Sequence, residues 1–208
     1  MDSFVIDYPI VIATLKAADP ILAEIIDRVG DCTLSQTLRT GDLLTSLVES
    51  IIYQQLSGKA AATIHRRVLQ LYPQVPTAAD ILATPDELLR SAGLSRAKIL
   101  YLKDLAAHVQ AGLPTIAELE AEDDETIIRT LTPVKGIGRW TAQMLLMFRL
   151  HRWDVLPVDD LGIRAAMRRY YGLSELPDRK TIERIAQPWK PYRTIACWYL
   201  WRSLELPR

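Results

Sequence analysis

Apolar residues recur at helical spacing along nearly the whole chain, as in Ile10, Ile12 and Leu15, then Leu43, Leu44, Leu47, Ile51 and Ile52, then Leu145, Leu146 and Leu150. Strand-like alternation bounded by hairpin turns is hard to find, so the pattern predicts an all-α protein of about ten helices of 8–16 residues. The breaks fall where turn chemistry appears: Asp19-Pro20, Pro73 through Thr77, Thr84-Pro85-Asp86-Glu87, Gly93-Leu94-Ser95, Gly112-Leu113-Pro114-Thr115 and Leu176-Pro177-Asp178. Thr84 followed by Pro85 and Glu87 reads as an N-cap, a proline at the first helical position and a capping-box acid. The loops are short, and neither a flexible linker nor an internal repeat is visible.

At roughly 100–200 residues per domain, this length allows one large domain or two small interleaved ones. We expect a terminal helical lobe of residues 1–45 with 165–208, a central lobe of 46–164, and a cleft between them. With 49% hydrophobic and 24% charged residues among 208, the chain can bury a sizeable core, which excludes disorder as its main state. No stretch approaches the roughly 18 consecutive apolar residues of a membrane helix. The two cysteines, Cys32 and Cys197, cannot supply a four-thiolate zinc or iron–sulfur site. With no signal-peptide pattern, they lead us to expect a reducing intracellular setting.

Charge is segregated although Lys+Arg and Asp+Glu are each 25. Residues 1–49 carry eight acids against three bases, and six more acids crowd into 118–125. Four stretches hold bases and no acid: 50–79 (Lys59, Arg66, Arg67), 90–103 (Arg90, Arg96, Lys98, Lys103), 126–153 (Arg129, Lys135, Arg139, Arg149, Arg152) and 184–202 (Arg184, Lys190, Arg193, Arg202). Any one of them reads as a solvated helix face, while four together suit a polyanion partner, because screening limits each charge to a reach of about 8–10 Å.

The most informative segment runs from Leu131 to Leu145, where Gly136 and Gly138 flank Ile137 just before a helical run. Such glycines permit a tight turn and let a phosphate approach the backbone, while amides at the helix start point at the anion. Lys135 and Arg139 would add positive charge. Twenty residues beyond Trp140 comes Pro157-Val158-Asp159-Asp160-Leu161-Gly162, with two adjacent acids before another helical pattern. One carboxylate suffices to cap a helix, which leaves the other for chemistry, and spacing alone does not say which does which.

These two elements together resemble the helix-hairpin-helix DNA glycosylase superfamily, and most closely its 3-methyladenine DNA glycosylase II branch, the AlkA type. Ile51 through Ser57, Gly93-Leu94-Ser95-x-x-Lys98-x-x-Tyr101-Leu102, and Trp189-Lys190-Pro191-Tyr192-Arg193 with Trp201 are also similar to that branch. The resemblance covers about residue 40 to the C-terminus. It implies two helical lobes flanking a DNA-binding cleft, a helix-hairpin-helix at 131–145, and no N-terminal β domain. It also implies a monofunctional glycosylase that flips alkylated purines such as 3-methyladenine and 7-methylguanine out of duplex DNA and leaves an abasic site.

By the same resemblance Asp160 is the catalytic carboxylate, and Asp159 is left as the cap. Trp140, Trp201, Met144, Leu161 and Tyr53 would line the base pocket. Gln55, Leu56 and Ser57 would plug the duplex with Leu56 as the wedge, while Lys135, Gly136, Gly138, Arg139 and Thr141 would grip the backbone. Carbonyls of Thr132, Val134 and Gly136 could hold a structural sodium or potassium ion, with no other cofactor and no iron–sulfur cluster. Trp140 stands where bifunctional relatives carry a Schiff-base lysine, which implies no lyase step. Met144 and Leu161 replace aromatic residues, and Lys135 replaces a proline, which implies an altered pocket. The expected state is a monomer on alkylated duplex DNA, away from membranes, in the nucleoid if bacterial or the nucleus if eukaryotic. The competing readings are a non-catalytic helix-hairpin-helix module that binds DNA at lesions, and a helical protein–protein adaptor.

Overall fold

The computed structural model describes residues 6–37 and 41–207. Among these residues are thirteen α-helices, two 3-10 turns and no strand, so the chain is all-α. The helices are α1 (Tyr8–Ala18), α2 (Pro20–Val29), α3 (Leu43–Tyr53), α4 (Gly58–Leu69), α5 (Ala78–Ala83), α6 (Asp86–Ser91), α7 (Arg96–Gln110), α8 (Ile116–Glu120), α9 (Asp124–Leu131), α10 (Arg139–Phe148), α11 (Leu161–Tyr170), α12 (Arg179–Ile185) and α13 (Arg193–Ser203); the 3-10 turns are Leu34–Thr37 and Gln187–Trp189. No described helix is long and apolar enough to cross a membrane.

The chain forms two compact units, one of Met1–Leu38 with His151–Arg208 and the other of Arg39–Leu150. These boundaries differ from the expected 45 and 164, so Asp160 belongs with the terminal helices. The reason is local: α13 holds the segment before Asp160 through Thr194, whose N–H donates to the Trp153 carbonyl at 2.9 Å and whose hydroxyl donates to the Arg152 carbonyl at 2.6 Å. In this unit α13 is the central element. Thr194 through Leu200 are all buried, and the helix packs against both α2 and α11, as expected of a helix apolar on every side.

In the other unit α7 is central, packed by α3, α5 and α6. Several of its helices are shorter than expected, α8 having five residues and α5 and α6 six each. Short helices persist here because their first amides are capped, as by the boxes Thr77–Asp80 and Thr115–Glu118. Thr84 does not cap α6, whose N-cap is Pro85; the Thr84 hydroxyl donates to the Asp80 carbonyl at 2.7 Å and so closes α5. The α1 period holds but its phase differs, with Val11 and Leu15 buried and Ile10 exposed. The α9–hairpin–α10 pair, Asp124–Phe148, is the helix-hairpin-helix.

Candidate active site and the hairpin

The approach to Asp160 is fixed from α13. Arg193 forks onto Asp154, Nε to Oδ1 at 2.6 Å and Nη2 to Oδ2 at 2.9 Å, and Val155 N–H donates to the Thr194 hydroxyl at 3.1 Å. The chain then turns tightly, with Asp160 N–H donating to the Pro157 carbonyl at 3.0 Å. Asp160 is the N-cap of α11: its Oδ1 accepts the Ile163 amide at 2.8 Å and the Trp201 indole N–H at 2.9 Å. The expectation that Asp159 caps this helix is therefore corrected. The N-cap is the residue immediately before the first helical one, here Leu161, and Asp159 is one residue too early. It is exposed and lies 3.2 Å from Arg179.

The cap thus orients the candidate catalytic carboxylate, and capping and chemistry are not alternatives here. Trp201 touches this carboxylate through its ring nitrogen, in addition to any role as an aromatic wall. Gly162 makes the contact possible, since a Cβ there would lie 2.9 Å from Trp201 Cδ1 and 3.1 Å from Asp160 Oδ1. Burial pushes the neighbouring Cys197 thiol far above its ordinary value, and the Asp160 carboxylate adds to the effect. Leu161, the next expected pocket residue, is 65% exposed on the first turn of α11.

The remaining expected residues lie in the other unit. Leu56 is 40% exposed in the turn between α3 and α4, and the preceding Gln55 has φ +58°, a left-handed conformation uncommon for a residue with a side chain. Ser57 caps α4, accepting the Ala60 amide at 3.4 Å, and Tyr53 meets His65 edge-on. On α10, Trp140 is 41% exposed, Met144 is half-buried and Thr141 is buried. Thr141 therefore does not present its hydroxyl at the surface as expected of a backbone contact; it accepts the Gln54 side-chain amide at 3.2 Å.

The hairpin cations are engaged within the chain. Arg139 forks onto Glu125, with Nη1 to Oε2 at 3.0 Å, and this pairing lowers the Glu125 pKa. Lys135 Nζ lies 3.1 Å from Asp104. Gly138 is the N-cap of α10 and offers no side chain to its first turn, the arrangement that suits an anion at a helix N-terminus. Gly136 has φ +81° and lies against the Tyr101 ring, leaving no room for a Cβ. Of the three carbonyls expected to hold a monovalent cation, Gly136 O accepts the Gln54 amide at 2.8 Å and Val134 O accepts the Ile137 N–H at 3.0 Å. An ion would have to share those oxygens, and no step of the chemistry is routed through it. Among the described residues no cluster of His, Cys, Asp and Glu could hold a metal.

Sequence reasoning missed Gly162, Gln54 and the roles of Lys98, Tyr101 and Asp104. Lys98, Tyr101 and Asp104 recur three apart on one helix, a spacing that already places them on one side of α7.

Residues 48–191 match the HhH-GPD superfamily of base excision DNA repair proteins, and the chain belongs to that superfamily. It is 35% identical over 195 residues to DNA-3-methyladenine glycosylase 1 of Schizosaccharomyces pombe, covering 92% of this chain and 86% of that protein. The structure of that species' 3-methyladenine DNA glycosylase Mag1 in complex with abasic DNA superimposes with a TM-score of 0.87 at 35% identity, over 94% of this chain and 97% of the other. DNA-3-methyladenine glycosylase 2 of Escherichia coli is 30% identical over 167 residues, 74% of this chain and 55% of that protein.

Proposed function

We propose that this chain is a DNA-3-methyladenine glycosylase that excises N-alkylated purines from duplex DNA in base excision repair. The near full-length similarity to the fission-yeast enzyme supports the substrate class. The observation that carries the chemistry is Asp160, a buried carboxylate whose Oδ1 is fixed by the Ile163 amide and the Trp201 indole.

Cleaving the N-glycosidic bond builds positive charge on the sugar, and a carboxylate held in place stabilises that charge without reorganising. It also orients the attacking water. A purine alkylated on a ring nitrogen is already a cationic leaving group, so no general acid is required. Trp140, at the position of the Schiff-base lysine in bifunctional relatives, supports a monofunctional reaction with water as nucleophile and an abasic site as product. Leu56, exposed on its strained turn, would fill the gap left by the flipped base, at an extrusion cost of a few kcal/mol. The α10 N-terminus would receive a backbone phosphate. With Lys135 and Arg139 paired to acids, that grip rests mainly on main-chain amides. Trp201, whose indole holds Asp160, would offer a face for an electron-poor base. Met144 and the exposed Leu161 would set the lesion range. The enzyme acts as a monomer and needs no cofactor, any hairpin sodium or potassium being structural.

The test is release of free methylated bases from alkylated duplex DNA by wild type and Asp160→Asn, with the strand examined before and after alkali. Release by wild type alone from an uncut strand is the expected result. Tight binding without release by wild type would leave the non-catalytic binding module, and strand cleavage before alkali would overturn the monofunctional assignment.

A further inference from the structure

Three residues on one side of α7 reach the two elements that the proposed function places on DNA. Lys98 Nζ donates to the Ile52 carbonyl at 2.6 Å and to the Gln54 carbonyl at 2.8 Å, so it caps the C-terminal end of α3 where the Leu56 turn begins. One turn on, the Tyr101 ring lies against Gly136. Asp104 accepts the Lys135 N–H at 2.8 Å, and this bond is the main reason its carboxyl pKa is lowered. Gln54 closes the circuit, its side-chain amide donating to the Gly136 carbonyl at 2.8 Å and to the Thr141 hydroxyl at 3.2 Å. The turn and the hairpin, about eighty residues apart in sequence, are thus joined twice, directly through Gln54 and indirectly through α7.

We propose that Lys98, with Gln54, Tyr101 and Asp104, is a positioning residue that makes the Leu56 turn and the glycine hairpin one rigid body, so that gripping the backbone places the wedge. This inference rests on the glycosylase reading. The left-handed Gln55 gives the brace a reason: a strained residue keeps its conformation only where its surroundings over-determine it, and the carbonyl just before it is the one Lys98 holds. Without the brace, the phosphate grip would persist while Leu56 lost its register. General DNA affinity and lesion engagement would then separate.

The experiment compares wild type, Lys98→Met, Lys98→Arg and Leu56→Ala, with Lys98→Met combined with Leu56→Ala as a cycle. Binding to an undamaged duplex and to a duplex carrying an abasic-site mimic is measured for each, alongside amide hydrogen exchange. Expected for Lys98→Met are undamaged-duplex affinity within about twofold, a roughly tenfold or greater loss of preference for the mimic, and faster exchange at both 54–57 and 135–138. Arginine, which can also donate to two carbonyls, should restore most of the preference. The double variant should lose little more than either single one, because both changes act through the same wedge. Full preference in Lys98→Met, additive losses in the cycle, or faster exchange confined to 54–57 would each overturn the brace. A wild type with no preference for the mimic would overturn the wedge reading first, and the inference with it.

Discussion

Two aspartates in the same unit begin helices and receive an indole N–H, and both are 8% exposed: Asp19 at α2 and Asp160 at α11. Their hydrogen bonds divide differently. Asp19 spends Oδ1 on the Ile21 and Leu22 amides, at 2.9 and 3.0 Å, and Oδ2 on the Tyr171 hydroxyl and the Trp189 indole, at 2.6 and 2.8 Å. At Asp160 the capping amide and the Trp201 indole both fall on Oδ1. Trp189 is wholly buried, whereas Trp201 is only half-buried. Burial also raises the Tyr171 hydroxyl pKa far above its ordinary value, with Asp19 adding to the rise, so this phenol remains a donor. The same local device, an aspartate cap with a tryptophan, is a structural knot at one site and an oriented carboxylate at the other.

Replacing each carboxylate by its amide separates the two most sharply. Asp160→Asn keeps an oxygen for the Ile163 amide and the Trp201 indole but removes the charge. We expect base release from alkylated DNA to fall by roughly 10²–10³-fold or more, the loss typical of a preorganised electrostatic group. DNA binding should be retained or improved. Asp19→Asn must turn an NH2 group toward at least one donor. Leaving a buried donor unsatisfied costs about 1–3 kcal/mol, so the melting temperature should fall by roughly 2–12 °C while the folded protein keeps its rate of base release. A stable but inactive Asp19→Asn would erase the distinction.

Gly162→Ala sharpens the comparison from the backbone. The added Cβ would meet the Trp201 ring at 2.9 Å and Asp160 Oδ1 at 3.1 Å. The indole must shift, and because misplacement by about 1 Å can cost as much as 10²-fold, we expect single-turnover base release to drop roughly 10- to 100-fold with little loss of DNA affinity. Unchanged release would show that the Trp201 contact does not set the carboxylate.

How much of this could be read from the residues follows from the range of the interactions involved. The helical period of α3 and α10, and the turn at Asp19-Pro20, rest on neighbours in sequence, and all were legible. The phase of α1 was not, because Ile10, Val11 and Ile12 are all apolar and only the partner helix selects Val11. Thr84 misled because its local pattern suits a cap, while its hydroxyl donates one turn back to the Asp80 carbonyl and meets the Tyr72 hydroxyl, a contact made only in the fold. Asp160 was singled out from Asp159 through resemblance alone. Its partner Trp201 lies 41 residues away, and the reach of Lys98 to Ile52 spans 46, so neither contact has a local signature.

The smallest effect belongs to Asp159, and it closes the question that two adjacent acids raise. Its carboxylate caps nothing, its side chain is 70% exposed, and its contact with Arg179 at 3.2 Å is a surface ion pair. Such pairs contribute about 0–1 kcal/mol, screened further by salt. Asp159→Asn should therefore leave base release within about twofold of wild type and lower the melting temperature by no more than roughly 4 °C. If Asp159→Asn were inactive while Asp160→Asn released base normally, the roles would exchange. Asp160 would then be a second structural aspartate like Asp19, and the chemistry would rest on a carboxylate held only by a surface ion pair.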